Sequence, residues 1–236
     1  MKIQHTLFSL IGLFASNVLL AQNWEKSINI YNQTTFYETT VFQGTTGQNG
    51  SIATESTHKA IQYLKPTIAI QWKSKENKYG HQIELTTLES KKVDFEEIAQ
   101  NETIAGYTSN YGSIAFRYEL KRFWNLNKVK NLILELGTGA HPVFIWNISN
   151  PKTSLSFPTR YNNTSLSAML VPGISYTLSE KCSLNLNVPL NLLSIRLTNQ
   201  TVQNPSFNNN QQKTTTLDFS TLDRNMYLRL GVGIKI

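Results

Sequence analysis

Residues 229–236 read RLGVGIKI. Leu230, Val232, Ile234 and Ile236 alternate with Arg229, Gly231, Gly233 and Lys235. Period-two alternation puts apolar side chains on one face of a strand and small or polar ones on the other. The pattern recurs through the chain, and it constrains the fold more than any other feature. In LKPTIAIQW (64–72), Leu64, Pro66, Ile68, Ile70 and Trp72 share a face. In SIAFRYELKRFW (113–124), Ile114, Phe116, Tyr118 and Leu120 alternate with Ala115, Arg117, Glu119 and Lys121. The segments 81–89, 132–146, 165–178, 183–193 and 226–236 repeat it, and a weaker one spans about 26–42, where alternation fails after Ile30. These are eight segments, an even number.

The spacing between segments also alternates. Short connections fall near 74–80, 125–130 and 179–181. Long ones fall near 43–59, 90–110, 147–163 and 198–222. Short turns at one end and long loops at the other match an antiparallel barrel that crosses an outer membrane. An even strand count returns the last strand beside the first. The expected fold is therefore all-β: a closed antiparallel up-and-down transmembrane β-barrel of eight strands, or of ten if 43–59 hides a hairpin. A soluble β-sandwich is the competing reading. Pro66, Pro142, Pro172 and Pro189 fall inside strands, and because proline removes a ladder donor, bulges are expected there. The loop 199–216, NQTVQNPSFNNNQQKTTT, reads as flexible and hydrated, and 90–106 could carry a short helical turn.

Residues 1–21 have Lys2 in a short start, an apolar stretch from Leu7 to Leu20, and Ala21 before Gln22. This is the three-part pattern of a cleaved signal peptide, so the barrel domain is expected over 22–236. No later run approaches the twenty apolar residues a membrane helix needs. The formal charge is +7; removing Lys2 with the leader leaves 21 basic and 15 acidic residues. The basic residues are scattered with no run, which argues against nucleic acid; the charge is compatible with attraction to lipopolysaccharide phosphates or to an anionic solute, and does not by itself show either.

With apolar faces toward lipid, the opposite faces turn inward. They carry Lys65, Glu84, Arg117, Glu119, Lys121, Glu135, His141, Arg229 and Lys235. Buried charges need partners, so these charged residues are expected to form an ion-pair network that fills the narrow lumen. A narrow solute channel lined by the same side chains is the alternative. Aromatic residues are expected as interfacial girdles: Trp24, Trp72, Trp124, Tyr176 and Tyr227 at the periplasmic end, and Trp146 at the external end.

No zinc spacing, phosphate loop or dinucleotide fingerprint occurs, so no metal or cofactor is expected. His58 and His81 fall far from other candidate groups. His141 with Ser165 or Ser167 is the one pair that could support catalysis by a lipid-modifying enzyme. The preferred expectation is a non-enzymatic structural or interaction protein with its external loops as the working surface. Cys182 reads as a small structural residue.

The leader, the eight-strand rhythm and the terminal RLGVGIKI together resemble small outer-membrane β-barrels of the OmpA/OmpX type. The strand-borne prolines, as in LNVPLNLL, resemble the PorT-like barrels of Bacteroidetes. The resemblance implies the outer membrane of a Gram-negative bacterium. It also implies a terminal strand read by the barrel-assembly machinery through Arg229, Gly231, Ile234 and Ile236. Ile236 stands where the pattern usually has Phe or Tyr.

Overall fold

The computed structural model describes residues 24–47, 50–74, 76, 78–99, 102–126, 131–152, 157–208, 210–221 and 226–236, with side chains described except at 36–65, 95–99, 102–105 and 226. The expected leader, 1–21, lies outside them. The strands are β1 (Trp24–Gly47), β2 (Gly50–Ser74), β3 (Tyr79–Ala99), β4 (Glu102–Asn125), β5 (Leu132–Pro151), β6 (Thr159–Thr177), β7 (Cys182–Asn187), β8 (Leu190–Val202), β9 (Lys213–Thr221) and β10 (Met226–Lys235).

Each of β1 to β6 pairs antiparallel with the next. β6 then pairs with β7 near one end and with β8 near the other. β7 pairs with β10 and β8 with β9, and β10 pairs with β1. Thus β7 and β8 are two parts of one stave, and β9 and β10 of another. Eight staves close a ring. Closure leaves no free ladder edge at the level of β10, which is why an alternating strand can lie at the end of the sequence without fraying. The Ile236 N–H donates to the Lys26 carbonyl at 3.0 Å, and the Lys235 N–H to the Lys181 carbonyl at 2.9 Å.

The solvation is inverted relative to a soluble domain. Among the described residues, six hydrophobic residues are buried against nineteen polar or charged ones. The exposed set includes Ile68, Ile70, Phe116, Leu120, Leu134, Ile174, Leu184, Leu230 and Val232. The outward column of β4 runs from Ile114 to Trp124. Ten residues span about 33 Å along a strand, or about 25 Å of height at a tilt near 40°. That is the height of an apolar membrane band.

One rim carries the short turns, with Asn131 in the left-handed region at φ 73°, a conformation that asparagine tolerates well. At the opposite end most of the expected long loops are continuations of strands. β1 and β2 stay paired up to Gly47 and Gly50, and β3 and β4 up to Ala99 and Glu102. Residues 43–47 and 50–59, and residues 90–99 and 102–106, are therefore strand, the latter pair in place of the expected helical turn. These hairpins lengthen existing staves and add no new ones, so the ring has eight. Nor is the segment around 203–212 a loose loop. Asn208 Oδ1 accepts from the N–H groups of Asn210 and Gln211, while Gln212 Nε2 donates to the carbonyls of Asn204 and Phe207 at 2.8 and 3.0 Å. Amide side chains that read as hydrated in sequence here satisfy the backbone of a turn.

The prolines behave differently from the expectation. Register is unchanged across Pro142, Pro172 and Pro189. Each proline removes one donor, and losing one ladder bond disturbs less than a slip that would turn every later side chain to the other face. Val188 and Pro189 merely divide β7 from β8, and the Val188 N–H still donates to the Pro172 carbonyl at 2.9 Å. Pro66 has a register shift close by, between Gln33 and Thr35 of the paired strand, and Pro189 has one just beyond it, between Asn191 and Leu193. A further shift falls at Leu85/Thr87. The shift beyond Pro189, opposite Ala168/Met169, leaves Leu192 and Leu193 both outward, each 42% exposed.

Candidate functional site: the polar interior

The inward faces of β3, β4, β5 and β10 supply three buried carboxylates, Glu84, Glu119 and Glu135, and three buried cations, Arg117, Lys121 and Arg229. Arg229 bridges two of the carboxylates. Its guanidinium donates to Glu84, to Glu119 at 2.9 Å and to Asn187, and it lies over the Tyr31 ring at 4.6 Å. Arg117 reaches Glu84 and Gln33, each at 3.3 Å. Lys121 bonds Gln82 at 2.9 Å and Glu135 at 3.2 Å, and lies 3.5 Å from Glu119. The Tyr31 hydroxyl donates to Gln82 at 3.0 Å, and the Thr67 hydroxyl to Glu84.

Toward the short-turn rim the charges give way to amides. Asn29 donates to Gln71 at 2.9 Å and Asn185 to Asn29 at 3.3 Å, and the Ser175 hydroxyl lies between its two acceptors, Glu135 and Asn185. Lys73 lies 4.3 Å over the Phe123 ring. The layer is charge-balanced, and every ion but Glu119, whose partners are Arg229 on β10 and Lys121 on its own strand, is held from at least two other strands. In a low-dielectric interior that mutual pairing is the condition for keeping six ions buried.

The glycines of RLGVGIKI have their role here. A Cβ at Gly231 would run into the Tyr31 ring, and one at Gly233 would meet Ser183 Oγ at 2.6 Å. Two missing side chains on β10 let Tyr31 and Asn29 cross the lumen and let Arg229 stack on the ring. Sequence reasoning did not find Tyr31, because alternation in the first strand fails just past Ile30. The parity of 27, 29 and 31 was the available signal.

Of the residues singled out from sequence, Glu84, Arg117, Glu119, Lys121, Glu135 and Arg229 come together. The Lys65 side chain lies outside the described ones. Lys235 does not join them. It sits at the short-turn rim, 46% exposed, paired with Glu25 at 2.8 Å, because it is the last inward position before the chain leaves the wall. His141 faces Ser167 across β5 and β6, but its Nε2 meets Thr86 at 3.0 Å while Ser167 donates to Ser194 at 3.0 Å. The two side chains therefore have separate partners. The register shift in β3 turns both Thr86 and Thr87 inward, which brings Thr86 within reach of His141.

Trp24, Trp72, Trp124 and Tyr176 lie at the short-turn rim on the outward face. Trp24 packs on His81 at 5.0 Å, His81 Nδ1 meets the Tyr118 hydroxyl at 2.7 Å, and Arg122 lies 5.4 Å over both Tyr79 and Trp124. Trp146 lies toward the opposite end, over Gly112, where a Cβ would collide with the indole. Tyr227 is a correction. It lies near the start of β10, in a stave that descends from the long-hairpin end, opposite Thr35, so it cannot belong to the short-turn rim. Its parity with Arg229 turns it inward. In the terminal strand Arg229 and Gly231 face the lumen, while Ile234 and Ile236 are exposed on the outer surface at 48% and 70%.

The fold is a closed antiparallel up-and-down transmembrane β-barrel. Among solved structures it is similar to the outer membrane protein AlkL, determined in lipid bilayers, with 12% identity, a TM-score of 0.50 and coverage of 91% of each chain. It is also similar to the outer membrane protease OmpT from Escherichia coli (10% identity, TM-score 0.48, covering 92% of this chain and 97% of that one). A third is outer membrane protein W of E. coli (12% identity, TM-score 0.45, covering 91% and 100%). At these identities the likeness is one of fold. No protein-family model matches the chain, and no curated protein matches it in sequence.

Proposed function

We propose that this chain is an integral protein of a Gram-negative outer membrane, that its lumen is plugged, and that it works as a structural or interaction protein through its long-hairpin end. The observation that carries this reading is the charge-balanced layer around Arg229. Eight staves enclose a lumen about filled by side chains, and six ions bound to one another leave a solute little free charge to exchange with. The apolar outer band and the aromatic rim support a position in lipid, with the short turns in the periplasm and the hairpins outside. On this reading the leader is cleaved before Gln22, outer-membrane lipid and lipopolysaccharide surround the wall, and the barrel-assembly machinery reads β10. No catalytic role is assigned to His141.

The test is a Ser206→Cys variant in a Cys182→Ser background, labelled on intact cells with a membrane-impermeant maleimide. The protein should fractionate with the outer membrane, begin at Gln22 and label without permeabilisation. Labelling only after permeabilisation would reverse the orientation. Recovery in the soluble fraction would refute the reading.

A further inference from the structure

Above the charged layer, the inward faces of β3, β4 and β5 continue as a curved wall. Three rows cross it in register. Lys91, Tyr111 and Asn147 form one, and Val93, Ser109 and Ser149 the next; Tyr107, opposite Pro151, lies in the third. These seven side chains line a cavity of about 340 Å³, within the range of pockets that hold small ligands.

The lining has a definite chemistry. Tyr107 and Tyr111 are four residues apart on one face, so their Cα atoms are about 13 Å apart along the strand. Ser109 lies between them. Ser109 donates to Asn147, which fixes the amide beside Tyr111. Lys91 lies 5.1 Å over the Tyr111 ring, and its ammonium bonds Glu89 at 3.2 Å. The one cation therefore has its counter-ion beside it, which disfavours an anionic ligand. Two aromatic platforms, a row of hydroxyl and amide groups and no net charge match the two surfaces of a pyranose. Its axial C–H face stacks on a ring and its equatorial hydroxyls take directional hydrogen bonds.

We propose that this wall is a binding site for a short neutral saccharide, with Tyr111 and Tyr107 as stacking platforms and Asn147 and Ser149 as polar anchors. The proposal rests on the reading that the long-hairpin end is the external working surface and names its ligand class.

The experiment is saturation-transfer NMR on the full-length barrel in lauryldimethylamine oxide, a detergent without sugar. N,N′-diacetylchitobiose and cellobiose serve as probes at millimolar concentration. Saturation should reach the ring C–H protons of at least one probe. It should fall at least tenfold in Tyr111→Ala and in Asn147→Ala, and persist in Tyr111→Phe and in Tyr176→Ala at the far rim. Heat-modified gel migration confirms that each variant folds, and Tyr107→Ala substitutes where Tyr111→Ala does not. No saturation of either sugar, equal saturation in wild type and the alanine variants, or displacement of the sugar by inorganic phosphate would overturn the proposal. A negative sugar result leaves the labelling at position 206 unaffected, and a reversed orientation there leaves the sugar result standing, so the two failures are distinguishable.

Discussion

Replacing Arg229 by methionine keeps an unbranched apolar stem, shortens the side chain by two atoms and deletes its charge. Glu84 and Glu119 then lose a buried cation, Asn187 loses its donor and the Tyr31 ring loses its stacked guanidinium. Breaking one side of a buried pair costs about 3–5 kcal/mol. Two features hold the cost toward the lower end. Glu84 keeps Arg117 at 3.3 Å, and Glu119 keeps Lys121 at 3.5 Å. We therefore expect a loss of about 3 kcal/mol, measured by reversible urea unfolding from detergent or lipid vesicles and read from the midpoint at constant slope. The internal comparison is Lys235→Met. Its partner Glu25 is 38% exposed and its own side chain 46%, and exposed pairs contribute about 0–1 kcal/mol. If Arg229→Met costs no more than Lys235→Met, the reasoning that makes Arg229 the centre of the interior fails.

Three further outcomes follow from the same geometry. Gly231→Val drives a side chain into the Tyr31 ring, and forced overpacking of about 1–3 kcal/mol should show as a lower urea midpoint, or as loss of the heat-modified gel band where folding fails altogether. Leu120→Arg places a charge near the middle of the outward apolar column of β4, Ile114 to Trp124, where Leu120 is 45% exposed; the expected loss is about 2–4 kcal/mol in lipid vesicles, and little change would mean that this face does not meet hydrocarbon. Asp94 is hydrogen-bonded by Lys152, which holds its carboxyl below its ordinary pKa, with Thr108 adding a second bond. A carboxyl depressed in the fold stabilises above its unfolded pKa, about 4, and that contribution disappears as pH falls through the lower folded value. Amide exchange in the hairpin of β3 and β4 should therefore quicken relative to the intrinsic rate in strong acid, and a Lys152→Met variant should lose the pH dependence.

The outer surface of this barrel was legible in the sequence because lipid enforces period-two alternation. Every outward position read from 166, 168, 174 and 176, or from 228 to 234, faces outward. The even strand count followed from the rhythm of turns. What sequence could not show was where strands go once both faces become polar. The hairpins beyond Pro66 and Leu88 carry no apolar stripe, so they read as loops although their ladders continue. The interior was half legible. Parity named the six ions, but their pairing depends on how the ring closes, and that brings Arg229 within bonding distance of residues 145 and 110 positions away in the chain. Tyr227 lies away from the short-turn rim because the last stave runs down from the long-hairpin end, a direction that alternation alone does not carry. Lys235 has the right parity but sits where the wall ends.

The central claim is that the buried ions close the lumen. Planar-bilayer recording of the purified wild-type barrel tests it most directly, with a Glu119→Ala/Arg229→Ala variant, which removes one anion and one cation together, as the comparison. The account predicts a wild-type protein without stable conductance steps and a variant that conducts. Steady, reproducible steps from the wild type would contradict it and make the interior a channel.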